Sequence, residues 1–503
     1  MNAALPLRQL VGGFDALSVH GPLDTTVAAL AYDARRVVPG AVFFAVPRAG
    51  GGDGPAIPRA IERGAAAIVC EEPGQVPYRA TRIRVANCRR AMASAAAAFF
   101  GHPSRRLQVV VVTGCEARGA VACLVYQLLA AAGGATAWAG SRGCRVGERR
   151  LPPLPPEPEA LDVQELLAAM VRAGCRTAVV ELSPRALEHG TLAATKIASV
   201  FVTELADGSG QVGSPPSSGG RQWPARGPED VRGIDGGVWR LSHVSAGGTD
   251  RSGAFTLRLE RRSAAPGMIT GRCRRSTATS THLEAATPRG GFHCRLPLPG
   301  HEQAQAGLAA ASMALALGVP LPAVSAELSR VDRVPGSLEP VRTGHGFQVL
   351  VDAASSASEL ETVLRDVRGF TAGRVLLLFG CGSRHPAAER VAMGEVAARG
   401  ADHAILTSDN PGWEAPGVIA AHVAAGHVRG RGLPPRIVPD RAQAIRELLR
   451  EARRGDVVLL TGKGHRMVQE LAGCVLPFDD RMHARAALAA FDAVPPAEEA
   501  EVS

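Results

Sequence analysis

The sequence predicts an α/β protein of about three domains, on three observations. Apolar β-branched runs alternate with helical periodicity along the whole chain, the pattern of strands and crossover helices. The chain has 503 residues, which at ~100–200 residues per domain is about three domains. The last third sets strand-like runs at 348–352, 375–379, 403–407 and 457–461 between helical stretches, a Rossmann-like order.

In chain order, a first segment ends near residue 105, after a helical run at 89–100 and the turn Gly101-His102-Pro103. A second unit, 106–333, opens with a buried strand at 107–112 and a glycine-led loop. Strands at 177–182 and 198–203 follow, consistent with parallel pairing. Residues 207–236 are rich in Gly, Ser and Pro with little periodicity, the composition of a long flexible loop. Antiparallel-looking strands come next at 255–259 and 292–296. The Ala-rich stretch 307–326 reads as a buried helix ending in a turn at Pro320 and Pro322. The third unit, 334–503, carries the Rossmann-like strands.

Composition excludes several classes. Hydrophobic residues make up 46% and charged residues 20%, ordinary for a globular protein with real cores. No run is long and apolar enough for a membrane span, and Met1 to Gly13 lacks the pattern of a signal peptide, so a cytoplasmic protein is expected. The ten cysteines show neither CxxC nor Cys/His spacing, which argues against structural zinc and a disulfide framework. Cys115, Cys144, Cys175 and Cys381 read as reduced core or loop residues. The net charge is +9, but basic residues are dispersed and aromatics reach only 4%, which argues against nucleic acid. Only two of the 56 basic residues are lysine, Lys196 and Lys463. Any chemistry that needs a lysine has two candidates.

A series of ordered segments carries a resemblance. They are YDARRVVPGAVFFAVP (32–47), DGPAIPRAIERGAAAIV (53–69), VVVVTGCEARGA (109–120), VVELSPRALEHG (179–190), VFVTELADGSG (200–210), LPLPGHEQAQAGLAAA (296–311), VPGSLEPV (334–341), VLVDAASS (349–356), LLFGCGS (377–383), TSDNPGWE (407–414), TGKGHR (461–466) and PFDDR (477–481). Together they resemble Mur ligases of the MurE type, which use ATP to add the third residue to a UDP-N-acetylmuramoyl-dipeptide. The resemblance runs nearly end to end. It implies a three-domain architecture: an N-terminal UDP-binding domain, a central P-loop-type ATPase domain and a C-terminal Rossmann-like domain.

Measured against that chemistry, the reacting positions depart from the family. A phosphate loop needs glycines, a Lys for the β/γ-phosphates and a Ser/Thr hydroxyl for magnesium. After Thr113 this chain reads Gly114-Cys115-Glu116-Ala117-Arg118-Gly119-Ala120. Arg118 puts a planar fork at the ammonium position, Gly119 has no hydroxyl, and Ala117 puts a Cβ where positive φ is expected. Glu116 beside a triphosphate would cost about 4 kcal/mol at ~4 Å and an effective dielectric near 20. The metal-binding Glu is retained as Glu181. The His of the family's D-H-L-D falls at Ser209, the S-S-H motif reads Ser183-Pro184-Arg185, and the region of the carbamylated lysine (224–231) holds no lysine. In the substrate motifs, T-T-P corresponds to Pro156-Glu157-Pro158 and the two adenine-side Asn residues to Gln303 and Ala306. At the uridine side Asp33 and Arg35 remain beside Ala34, followed by Asp53-Gly54. At the amino-acid site Asp409, Asn410, Pro411, Glu414 and Gly462 remain. There the family's arginine is Gly412, and the Glu that holds the incoming ammonium is Arg466, a charge reversal. Asp352, Asp409 and Asp480 read as caps or turn residues at strand ends rather than ligands.

The resemblance and the losses together predict a MurE-like protein that is catalytically inactive and has a binding, scaffolding or regulatory role. Its expected partners are an active Mur ligase, another cell-wall enzyme or a UDP-N-acetylmuramoyl-peptide. Two alternatives stay open. One is an active UDP-N-acetylmuramoyl-tripeptide synthetase that requires ATP and Mg2+. The other is a UDP-sugar binder using only the N-terminal domain.

Overall fold

A computed structural model describes residues 5–47, 56–72, 79–114, 117–155, 157–204, 238–244, 254–261, 267–431, 433–472 and 474–492. The 207–236 stretch, Cys115, Glu116, Pro156, Ser209 and Asp53-Gly54 lie outside the described residues.

Three sheets carry the architecture. The N-terminal sheet runs Ala16–His20, Thr81–Val85, Ala67–Cys70, Ala41–Phe44, Ala29–Ala31 in spatial order. Its last four strands are parallel and Ala16–His20 joins antiparallel. Ala41–Phe44 is buried at every position, which is why it reads as a continuous apolar run rather than an alternating one. The helix Cys88–Phe99 behind it starts at Asn87, whose side chain accepts from the Arg90 N–H at 2.9 Å, an N-cap in the usual sense.

The central sheet is the largest. Gln108–Gly114 lies in its middle, parallel to Thr177–Glu181 on one side and Ser199–Glu204 on the other. Val238–Val244 continues the parallel order, and Ala254–Arg261, Gly267–Ser276, Thr281–Thr287 and Gly290–Leu296 extend it as an antiparallel meander. Helix Arg118–Ala131 packs on this sheet and against helix His301–Ala316. Residues 303–315 of the latter are buried throughout, and their alanines allow the close approach. The 307–326 stretch is thus a buried helix that ends in a turn, followed by a second helix that the sequence did not show. The first helix ends at Ala316, Gly318 turns the chain at φ +95°, and Pro320 and Pro322 begin the next helix, Leu321–Leu328, where proline's fixed φ suits a first turn.

In the C-terminal unit, Gln348–Val351, Val457–Leu460, Val375–Cys381, His403–Ser408 and Arg436–Ile437 form a parallel sheet, with Glu339–Val341 antiparallel at one edge. The four strands expected there from sequence fall within two residues of their observed ends. A hairpin, Val468–Leu471 with Cys474–Pro477, stands apart from the sheet. The nine described cysteines are free, eight of them buried or half-buried. Among the described residues no helix is long and apolar enough to cross a membrane.

Polar contacts stitch the units together. The Tyr32 hydroxyl donates to Asp162 at 2.6 Å and Arg89 Nε to Glu159 at 3.1 Å. Between the central and C-terminal units, Arg142 Nη1 donates to the Pro335 carbonyl at 2.9 Å, and the Glu302 N–H donates to Asp366 at 3.0 Å.

Candidate functional site

The parallel strand Gln108–Gly114 delivers its C-terminal end to the start of helix Arg118–Ala131, the place where a strand-loop-helix unit presents backbone N–H groups to phosphate. Gly114 sits at φ +117°, and a Cβ there would lie 2.1 Å from the Thr203 carbonyl oxygen. Only glycine lets the two parallel strands close at this point. The sequence expectation that Ala117 needs positive φ is not met: Ala117 is at φ −67°, and Gly114 takes the left-handed role.

Thr113, Gly114, Arg118, Gly119 and Glu181 come together at this turn. The Glu181 side chain is 3% exposed, and Arg118 Nε lies 3.2 Å from its Oε1. Arg118 Nη1 also turns back toward the Gly114 carbonyl at 3.4 Å. Ser141, on the turn after strand Thr136–Gly140, completes the enclosure. Its N–H donates to Glu181 Oε2 at 2.7 Å and its hydroxyl reaches both carboxylate oxygens at 2.9 and 3.0 Å. A Cβ on Gly119 would stand 3.1 Å from Arg142 Nε and 3.2 Å from Glu181 Oε2, so a Ser or Thr at 119 would crowd both.

A hard divalent cation needs several open oxygen ligands; here both oxygens of Glu181 are held by Ser141 and one faces Arg118. Among the described residues no group of three His, Cys, Asp or Glu stands ready for a metal. Arg185 lies beyond, exposed on the short helix Pro184–Glu188, whose cap Ser183 accepts from the Ala186 N–H and donates to Glu157.

The C-terminal unit overhangs this turn. His465 is packed so that a Cβ on Gly336 would lie 2.5 Å from its backbone N. Burial, then Arg142 and Arg466, push its imidazole down to about 3, so it is neutral at any ordinary pH.

The amino-acid motifs of the third unit converge on Lys463, which is fully buried. Its ammonium lies 3.1 Å from Asp409 Oδ1 and donates to Asn410 Oδ1 and the Val468 carbonyl, each at 3.1 Å. Gly462 borders Asp409, its Cβ position 3.8 Å from Oδ2. Burial works to raise the Asp409 carboxyl, but Lys463 and Arg441 outweigh it and hold it below the usual carboxylate range. Burial, the larger influence on Lys463, lowers that ammonium in turn. Both residues are therefore parts of an internal network rather than free ligands. Glu414 is drawn elsewhere, forked by Arg390 at 2.6 and 2.7 Å, and Arg466 is exposed. Asp480 is fully buried with Arg441 across two 2.7 Å bonds, and Asp352 accepts the Leu338 and Ala354 N–H groups. The cap reading thus holds for Asp352, whereas Asp409 and Asp480 belong to buried ion pairs.

At the N-terminal unit Asp33 caps the short helix Ala34–Arg36 and binds Arg35 with contacts of 2.7 to 3.1 Å. Sequence reasoning missed Ser141, Arg142, Arg390 and Arg441. A lone Ser-Arg pair in a glycine-flanked turn gives no signal, and an arginine among 54 gives little.

A mixed central sheet with a phosphate-loop-like turn, between an N-terminal mixed sheet and a parallel Rossmann-like sheet, defines the Mur ligase architecture. Residues 338–464 match the family model described as "Mur ligase, glutamate ligase domain". The chain is 35% identical to the UDP-N-acetylmuramyl-tripeptide synthetase of Roseiflexus sp. over 492 residues, covering 93% of this chain and 96% of that protein. It is 32% identical to the UDP-N-acetylmuramoyl-L-alanyl-D-glutamate–2,6-diaminopimelate ligase of Geobacillus thermodenitrificans, covering 96% and 99%. A solved structure of a ligase of that same name superposes with TM-score 0.57 at 19% identity, covering 98% of this chain and 100% of the other. The chain belongs to the Mur ligase family, on its MurE-type branch.

Proposed function

We propose that this chain acts in peptidoglycan-precursor synthesis as a MurE-type homologue whose nucleotide site is closed by its own side chains. It serves there as a cytoplasmic binding, scaffolding or regulatory protein rather than as a ligase. The observation that carries this reading is the Arg118–Glu181 pair at 3.2 Å with Ser141 on the remaining lone pairs. The carboxylate that the family offers to metal is neutralised from within the phosphate loop. Its partners would be an active Mur ligase or another cell-wall enzyme, or a UDP-N-acetylmuramoyl-peptide.

A second reading has its own support: an active, ATP- and magnesium-dependent UDP-N-acetylmuramoyl-tripeptide synthetase. End-to-end identity of 32–35% to proteins named as ligase and synthetase favours it, more directly than the names favour an inactive homologue. A narrower reading, a UDP-sugar binder using the N-terminal unit, draws on Asp33 and Arg35.

Calorimetric titration of the pure protein with ATP and magnesium, then with UDP-N-acetylmuramoyl-dipeptide, separates the three. The closed-site reading expects no magnesium-dependent ATP heat, and no recovery in Arg118→Lys because Gly119 still lacks a hydroxyl. Stoichiometric ATP binding followed by release of tripeptide product would overturn it in favour of the ligase. Uridine-nucleotide heat without ATP heat supports the sugar-binding form.

A further inference from the structure

Apart from Leu17 and Val38, the exposed large hydrophobics among the described residues lie in the C-terminal unit. Four of them follow one helix, Pro416–Arg431. Val418 is 48% exposed and Val428 42%, with the exposed Ala421 and Ala425 between them. Trp413, 87% exposed, stands just before the helix, and Leu433, 67% exposed, just after it. We propose that this row pairs antiparallel, about a two-fold axis, with the same row of a second copy of this chain.

The helix is apolar on two opposite sides. Its inner side carries the buried Ile419 and Val423 and packs closely on helix Ala387–Gly400. A Cβ on Gly394 would strike the Val423 carbonyl, and one on Gly426 the Val391 carbonyl. At about 100° per residue, Val418, Ala421, Ala425 and Val428 fall within a sector of roughly 80° on the far side. Neighbouring surface helices of the same unit differ. Ala357–Phe370 turns Glu361, Arg365 and Arg368 to solvent, and Arg441–Glu451 turns Arg446 and Arg450. A helix that is apolar all round is ordinarily covered all round. Both ends of the row are anchored. Trp413 lies between Gly412, bridged to Leu471, and Glu414, forked by Arg390 at 2.6 and 2.7 Å. The Leu433 carbonyl lies 2.8 Å from Nδ1 of the buried His427.

Spacing selects the occupant. Val418 and Val428 stand symmetrically about Val423, as do Ala421 with Ala425 and Trp413 with Leu433. A two-fold contact requires a surface that is its own complement. In an antiparallel pair crossing at Val423, Val418 meets the second copy's Val428, Ala421 meets its Ala425, and Trp413 reaches toward its Leu433. The central alanines let the axes approach to ~8–10 Å, and antiparallel helices set their dipoles favourably. Arg429, beside the row, already lies 3.9 Å from Glu395 of its own chain. At ~1.5 Å per residue the helix offers a contact roughly 24 Å long. With Trp413 and Leu433 it buries on the order of 1,000 Å² in total, the lower end for a specific interface. The dimer is therefore expected in the micromolar range. It stands independently of whether the nucleotide site works.

Sedimentation velocity of the full-length protein from about 1 to 200 µM tests the pairing. The expected result is a concentration-dependent shift from monomer to dimer. Val418→Glu and Val428→Lys each set a charge against a valine of the other copy and should weaken the dimer about tenfold or more. Both positions are exposed and each charge suits its end of the helix dipole, so thermal unfolding should be unaltered in both variants. Mixed one to one, the two variants should recover the dimer, because the antiparallel pair brings residue 418 onto residue 428. A dimer that neither variant weakens, or a mixture that shows no recovery, overturns the proposal. So does a wild-type chain that stays monomeric throughout, which would leave the row to a different partner.

Discussion

At the scale of single residues, burial decides which ion pairs matter. Arg35 and Asp33 make the most regular fork in the N-terminal unit, yet the guanidinium stands in solvent, where such pairs contribute little. Arg35→Ala should leave the unfolding midpoint unchanged. Arg118 and Glu181 differ: the carboxylate is 3% exposed, and without Arg118 its hydrogen bonds among the described residues are those from Ser141. Arg118→Ala should cost about 2 kcal/mol in chemical denaturation, the typical penalty for a buried charged group losing a partner. An unaltered stability would mean that water already solvates Glu181. Arg441 and Asp480 are the extreme case, each with a fully buried side chain. Asp480→Asn strands a guanidinium in the C-terminal core and should cost ~3–5 kcal/mol, with an unchanged denaturant slope if the fold survives.

Elements were more legible in the sequence than sites. The parallel strands of the central and C-terminal sheets are buried on both faces and read as unbroken apolar runs, so 375–379, 457–461 and 177–182 were found almost to the residue. The Ala-rich helix was blurred because alanine favours helix everywhere and marks no face; its division at Gly318 shows only in the backbone. The phosphate-loop position was legible as a strand-glycine-helix sequence. The closure of Glu181 was not, since Ser141 and Arg142 arrive from a turn 40 residues away in sequence from Glu181. Helix Ala357–Phe370 gives a test at this scale. Ser356 accepts the Glu359 N–H while Glu359 accepts the Ser356 N–H, a capping box. Asp366 on the same helix holds the Glu302 N–H of the central unit. Ser356→Ala should cost ~1 kcal/mol and raise amide exchange in the first turn. Equal protection in the variant would show that packing of Leu360, Val363 and Leu364 suffices without the cap.

For the molecule as a whole, the carboxylates divide into two sets with opposite responses to pH. Asp409, Asp456 and Asp479 all lie in the C-terminal unit. Burial works to raise each, but Lys463, Arg374 and Arg481 respectively outweigh it, so each carboxyl is held below its ordinary value. A depressed carboxyl stabilises the fold fully above the unfolded value of ~3.9, and that contribution is lost as pH falls through the folded value. Asp352 and Asp366, at the seam with the central unit, are raised, chiefly by burial. Their contribution has the opposite sign: it is present below ~3.9 and lost as pH rises through the folded values. Acidification from neutrality should therefore first relieve the seam, as Asp352 and Asp366 take up protons, while the C-terminal unit keeps its pairs. Below about pH 4 the three depressed carboxylates protonate and leave Lys463 and Arg374 without their counter-charges. Scanning calorimetry from pH 8 to 3 should show a midpoint that holds or rises slightly on the way to about pH 5, then falls steeply as the C-terminal unit melts ahead of the rest. In Asp456→Asn the steep acid limb should be shallower, because one of the three protonations no longer differs between folded and unfolded chain. A monotonic fall from pH 8, or an acid limb identical in Asp456→Asn, would remove these carboxylates as its cause.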